Sequence, residues 1–210
     1  MSYKGAVEEA RREFRPGLLA RKVRPISKAI TTRDLSMSDA ANSIPADDPN
    51  RELTVADPNA PTVRHVAVVG DTYSILVSGA ETGGRYCLID MIVPDGGGPP
   101  PHRHDFEEMF TLLEGELEFA FRGRTTTVRA GSTVSIPANA PHAFRNASGA
   151  PVHMLCLAAP AGLEDFFLEV GDPLESRTSP PPKLDQAQIE ERIAKVRALA
   201  PKYRTELLIP

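Results

Sequence analysis

The sequence predicts an all-β domain carrying an N-terminal extension and a C-terminal helical tail. Three observations lead there. About nine short segments rich in β-branched and aromatic residues follow one another between Thr62 and Pro160. Gly and Asp punctuate them, at Gly70-Asp71, Gly79, Gly83-Gly84 and Gly96–Gly98, as closely spaced turns require. No internal repeat is present, so the strands belong to one sandwich or barrel and not to an array. The expected divisions are residues 1–61 for the extension, 62–160 for the β domain and 161–210 for the tail.

Taken in order, Val7 to Phe14 has the pattern of a short helix that Pro16 would stop. From Arg33 to Pro61 the chain is rich in Asp, Asn, Ser and Pro, which favours turns and an extended path over a core. It reads as a disordered arm or as an arm lying on a second subunit. The expected strands then run over Arg64–Val69, Tyr73–Ser78, Arg85–Val93, Glu107–Leu113, Glu116–Arg122, Thr125–Val128, Thr133–Ile136, His142–Asn146 and Val152–Ala158. Arg122-Gly123-Arg124 reads as a tight hairpin turn. Beyond the strands, Leu163–Val170 fits one short amphipathic helix with Phe166, Phe167 and Val170 on its apolar stripe. Pro173 and Pro180–Pro182 form a linker. Asp185 is suited to cap a last helix, Gln186–Ala200, whose Ile189, Ile193, Val196 and Leu199 recur at helical spacing and dock on the core.

Composition narrows the function classes. A chain of 210 residues with 41% hydrophobic content can bury one sizeable core. Its net charge of −4 argues against a nucleic-acid partner held by phosphate neutralisation. No apolar run reaches the 18 or so residues of a membrane span. Arg11-Arg12 followed by Phe14 hints at a twin-arginine export signal, but Arg15, Pro16, Arg21, Lys22 and Arg24 interrupt any apolar stretch after it. Cys87 and Cys156, the two cysteines, both sit in apolar runs and read as buried free thiols, so a cytoplasmic location is expected.

The chemistry concentrates in Gly96–Gly115, GGGPPPHRHDFEEMFTLLEG. Alternate residues of a strand share a face, so His102 and His104 stand side by side, about 6.5 Å apart along the backbone. Glu108 joins them if the strand continues or resumes after a bend, whereas the parity of Glu107 points it away. His142 lies on a later strand, led in by the rigid Pro137-Ala138-Asn139-Ala140-Pro141 stretch. Three imidazoles and a carboxylate suit a divalent transition metal and leave one or two positions of an octahedral ion open. By the same parity Phe106 and Phe110 share the ligands' face, Leu117, Phe119 and Phe121 form one face of the next strand, and Phe144 shares the face of His142. The cavity is therefore expected to be apolar and aromatic, with no Arg or Lys cluster on inward positions, and to take a small organic ligand. His65 and His153 lie on other strands and read as satisfied structural histidines.

These residues resemble the two motifs of the cupin family. Gly96, His102, His104, Glu108 and Gly115 match the first, Gly-x5-His-x-His-x3-Glu-x6-Gly. Gly131, Pro137, His142 and Asn146 match the second, Gly-x5-Pro-x-Gly-x2-His-x3-Asn, with Asn139 in place of its internal glycine. Asn is the residue that best tolerates positive φ after Gly, so the departure is mild. The resemblance covers roughly residues 62–160. It implies a double-stranded β-helix barrel, a jelly roll, binding one divalent metal (Fe, Mn, Ni, Co, Cu or Zn) through His102, His104, Glu108 and His142. The texture further resembles single-domain quercetin 2,3-dioxygenase-like cupins. That resemblance implies a dioxygenase in which Glu108 is both ligand and general base for a flavonol-like or small aromatic substrate. The competing expectations are a non-catalytic binding cupin and another metal-dependent enzyme, an isomerase or decarboxylase. The family also implies a homodimer formed by exchange of N-terminal strands.

Overall fold

In the strand Val152–Ala159, buried and half-buried residues alternate without a break. Val152, Met154, Cys156 and Ala158 point inward, each with 1% or less of its surface exposed, while His153, Leu155 and Leu157 face outward. This period of two is what a sheet with one covered face imposes on its sequence. It recurs in Glu107–Glu114, where Glu108, Phe110 and Leu112 point in and Met109 and Leu113 point out.

The computed structural model describes residues 44–208. The Val7–Phe14 helix and most of the expected arm lie outside the described residues. Within residues 44–53, Asp48 Oδ1 accepts from the backbone N–H and the side-chain amide of Asn50, and Ile44 and Leu53 are exposed. A separate compact unit includes the chain from Thr54 onward. Residues 54–63 are turns and irregular backbone.

The β domain contains β1 (Arg64–Val68), β2 (Asp71–Val77), β3 (Cys87–Val93), β4 (His102–His104), β5 (Glu107–Glu114), β6 (Glu116–Phe121), β7 (Arg124–Arg129), β8 (Thr133–Ile136), β9 (His142–Arg145), β10 (Val152–Ala159), β11 (Asp172–Leu174) and β12 (Thr205–Leu207). Between β2 and β3 lies a one-turn helix, α1 (Gly79–Thr82), held by a Ser78–Glu81 capping box. The tail adds α2 (Leu163–Val170), α3 (Gln186–Leu199) and a 3-10 turn at Ala200–Tyr203.

The strands form two antiparallel sheets. One has the order β11-β1-β2-β3-β10-β5-β8 and the other β12-β4-β9-β6-β7. Ile89, Val93, Leu112, Leu117, Val152 and Met154 are almost fully buried in the shared apolar cluster. Truncating one of them to Ala should cost about 2–5 kcal/mol. The β6–β7 connection is a two-residue loop, since Phe121 pairs with Arg124. Arg122 and Gly123 both have positive φ there, the mark of a hairpin turn whose twist matches its strands.

The tail is bound to the barrel. Asp185 caps α3 through a capping box with Gln188. The stripe Ile189, Ile193, Val196 and Leu199 is half-buried, and Val196 and Leu199 pack on the core cluster. Two short strands absent from the sequence expectation, β11 and β12, close the edges of the two sheets against β1 and β4. Each is three residues long, too short for alternation to announce it.

Candidate metal centre

Gly96 to Pro101 delivers the chain to β4. Gly98 has φ +113, and a Cβ there would stand 2.3 Å from the carbonyl oxygen of Phe144. Only glycine lets the loop pass so close to β9. The three prolines that follow have no N–H to pair, so the strand begins at His102. It is then held on both sides, by β9 through His102–His142 pairing and by β12 through Thr205–His104 and Leu207–His102. The chain bends at Asp105-Phe106 and resumes as β5, which returns Glu108 to the face of the histidines.

The four side chains meet. One ligand-capable atom from each of His102, His104, Glu108 and His142 lies within 4.8 Å of the others, with His104, Glu108 and His142 buried and His102 partly so. In all three imidazoles Nδ1 faces a backbone carbonyl at 2.9 Å: that of Pro100 for His102, of Phe106 for His104 and of Ala140 for His142. A carbonyl can only accept, so each Nδ1 carries the hydrogen and the proton-free Nε2 of each neutral ring is left for the cluster. Phe106 stacks on His104 with ring centroids 3.8 Å apart and fixes that ring further.

Glu108 Oε2 lies 3.1 Å from His104 Nε2 and 3.2 Å from His142 Nε2. With neutral rings these contacts bring lone pairs against a carboxylate, which is repulsive unless a cation stands among them. The donor set therefore fits a divalent transition metal, with each imidazole pre-oriented by its second nitrogen. The protonation equilibria agree. Burial, and then the neighbouring His142, pushes His102 down to about 4. In the metal-free chain a proton can take the cation's place: burial pushes the Glu108 carboxyl up, but hydrogen bonds from His104 and His142, when their Nε2 atoms carry a hydrogen, outweigh it and hold the group below the usual carboxylate range.

The cluster opens into a cavity of about 100 Å³. Its lining includes His102, His104, Glu108, Phe110 and Phe144, together with Tyr73, Met91, Phe166 and Phe167. Phe119 packs against both Phe110 and Phe144 at 5.6 Å. Phe121 is half-buried, with the Arg122 guanidinium 4.9 Å over its ring. Asp71, Cys156, Thr205 and Leu207 also line the cavity and, like Tyr73 and Met91, are absent from the sequence expectation. Cys156 could have been found from its parity with Val152 and Met154. Thr205 and Leu207 could not, because they reach the site through a pairing across about a hundred residues.

Residues 89–158 match the family described as Cupin domain. Residues 89–158 form a cupin domain. The cupin is 32% identical over 79 residues to an uncharacterised protein of Methanocaldococcus jannaschii, a match that takes in 37% of this chain and 63% of that protein. Among solved structures it is similar to a predicted oxalate decarboxylase from Thermotoga maritima, at 18% identity and TM-score 0.46 over 50% of this chain and 98% of that one. It is also similar to the polyketide cyclase RemF from Streptomyces resistomycificus, at 23% identity and TM-score 0.43 over 64% of this chain and 93% of that one.

The cupin's other histidines have separate partners. His65 Nδ1 lies 2.7 Å from Ser74 Oγ, and His153 Nε2 lies 2.6 Å from Asp90 Oδ2. Asn146, of the second motif, uses its amide to donate to the carbonyls of Val93 and Ala150, bracing the loop before β4. Cys87 and Cys156 are free and buried. Burial, and then Glu164, pushes the Cys87 thiol up to about 12. Burial, and then Glu108, pushes Cys156 well above the ordinary thiol range. No helix among the described residues is long and apolar enough to cross a membrane.

Proposed function

We propose that this cupin is a metal-dependent dioxygenase acting on a small aromatic substrate that presents one phenol or enol oxygen. The observation carrying the proposal is the convergence of three imidazoles and one carboxylate, with a ligand-capable atom of each within 4.8 Å of the others, beside an apolar cavity. His102, His104, Glu108 and His142 would hold the metal. The metal, when bound, supplies a Lewis acid and a redox centre.

The chain's own residues do the rest. Phe110, Phe144, Phe166 and Phe167 offer a substrate ring apolar surface and exclude water. Glu108 would take the substrate hydroxyl proton, as a carboxylate at the reacting centre can do. Neither Lys nor Arg lines the cavity, so phosphorylated substrates find no partner charge there. Size matters as well. An apolar cavity of about 150 Å³ holds benzene. At about 100 Å³ with the tail in place this one is smaller, so even a single ring needs the lining to yield somewhat. A three-ring flavonol requires Val196 and Leu207 to move aside.

Oxygen uptake by the metal-loaded protein, over a panel of catechols, single-ring enols and flavonols, tests the proposal. Uptake is expected with the single-ring members, and none with any member would overturn it. A second reading is an oxygen-independent isomerase or decarboxylase. It is favoured by Asp71, a second buried carboxylate lining the same cavity, and turnover without oxygen uptake would select it. We further propose a cytoplasmic homodimer, supported by the free buried thiols and by the exposed Met109 and Leu113 on the outer face of β5. A monomer mass by light scattering would refute the dimer.

A further inference from the structure

Cys156 stands on β10 opposite Phe110 of β5, one step diagonally from Glu108, whose own partner is Ala158. It is 1% exposed and lines the cavity. Its Sγ lies 3.5 Å from Glu108 Oε1, while Oε2 of the same carboxylate faces His104 and His142. The two carboxylate oxygens therefore have separate duties, one turned to the imidazoles and one to the thiol.

We propose that Cys156 is a positioning residue that caps Glu108 Oε1 with its S–H and confines the carboxylate to binding a metal through Oε2 alone. The proposal rests on the reading of His102, His104, Glu108 and His142 as metal ligands. A carboxylate gripping an ion with both oxygens would occupy an extra position and turn Oε1 away from the sulfur. With Oε1 held by the thiol, that position stays available to substrate. Cys156 is not itself a member of the ligand set, which closes on the three histidines and Glu108.

Cobalt(II) is the probe, because its visible absorption reports ligand number and kind without any substrate. Cys156→Ser keeps an O–H donor at the same place, whereas Cys156→Val removes the donor at similar volume. The expected result is a Cys156→Ser spectrum and cobalt affinity close to those of the unsubstituted protein. Cys156→Val should shift the visible bands and bind cobalt about 10-fold or more weakly, as loss of a group that orients a ligand does. If valine does not fold there, Cys156→Ala should show the same loss. Unchanged bands and an affinity within about twofold in a folded Val or Ala variant would overturn the proposal. So would a sulfur-to-cobalt charge-transfer band in the unsubstituted protein, which would make Cys156 a ligand. If the unsubstituted protein takes up no cobalt, the ligand reading itself falls, an outcome distinct from the other two.

Discussion

Two groups of histidines and carboxylates lie on opposite sides of the seven-stranded sheet. Inside the barrel are His102, His104, Glu108 and His142. On the outer face of the seven-stranded sheet, His65, Ser74 and Asp90 occupy one row across β1, β2 and β3, with His153 beside them on β10. Both groups are largely buried, and both include an imidazole within hydrogen-bond reach of a carboxylate. They differ in what each ring nitrogen meets. On the outer face His153 gives its Nε2 hydrogen to Asp90, His65 pairs with Ser74, and Arg177 Nη1 approaches Asp90 at 3.8 Å. Inside, every Nδ1 is committed to a carbonyl, and the bare Nε2 atoms of His104 and His142 face the Glu108 carboxylate. What marks a cation site is a surplus of converging acceptors, and a mere count of histidines does not.

The largest effect that could break this contrast is loss of metal. His104→Ala or His142→Ala should lower metal content, read by elemental analysis, from about one ion per chain to under about a tenth. His153→Ala should leave it unchanged. Equal loss from both faces would erase the distinction.

Next in size is the response of the metal-free chain to acid. His102 is held down at about 4, below the ordinary value of about 6.5. The folded chain therefore binds that proton more weakly than the unfolded chain. Its contribution to stability is complete above about pH 6.5, declines as the pH falls towards 4 and levels off below. The span is up to about 3 kcal/mol. Glu108 adds a loss in the same direction at lower pH, since its folded carboxyl lies below the usual range. Urea midpoints followed with pH should show a shallower slope between 6.5 and 4 in His102→Gln. An unchanged slope would remove His102 as the cause.

On the outer face, His153→Ala takes away the closest partner of Asp90 Oδ2, in a carboxylate whose Oδ1 has no hydrogen-bond partner among the described residues. Denaturant unfolding should register a loss of about 1–3 kcal/mol. A neutral result would mean that water or Arg177 takes over. The smallest effect belongs to neither face. Asp185→Ala, at the cap of α3, should cost about 1 kcal/mol without altering metal content.

Alternation was legible wherever strands were long enough to show it, as in β5 and β10; it put His102 and His104 on one face, with Glu108 joining them only if the strand resumed after a bend, whereas the grouping of His142 with them rested on the resemblance of the two motifs. Asn139 was legible for another reason. Its φ of +66 is one that asparagine tolerates, and its N–H reaches the carbonyl of His104 at 2.6 Å, so the second motif meets the first at that point. The outer polar row was not legible, because Ser74 and Asp90 interrupt apolar strands without any spacing signal. Nor was the tail's part in the cavity. Thr205 and Leu207 reach it through pairing with β4, and no local pattern encodes a partner so distant.

That last pairing bears on the order of assembly. Arg103 and Glu206, which face each other across β4 and β12, are 103 positions apart in the chain. Closing so long a loop is entropically slow and gains little until its far end has formed. The two imidazoles of β4 are thus expected to reach their final spacing late in folding, which stopped-flow refolding with and without cobalt(II) would check. A cation arriving earlier meets an incomplete cage, and one arriving afterwards seals the longest-range contact of the five-stranded sheet.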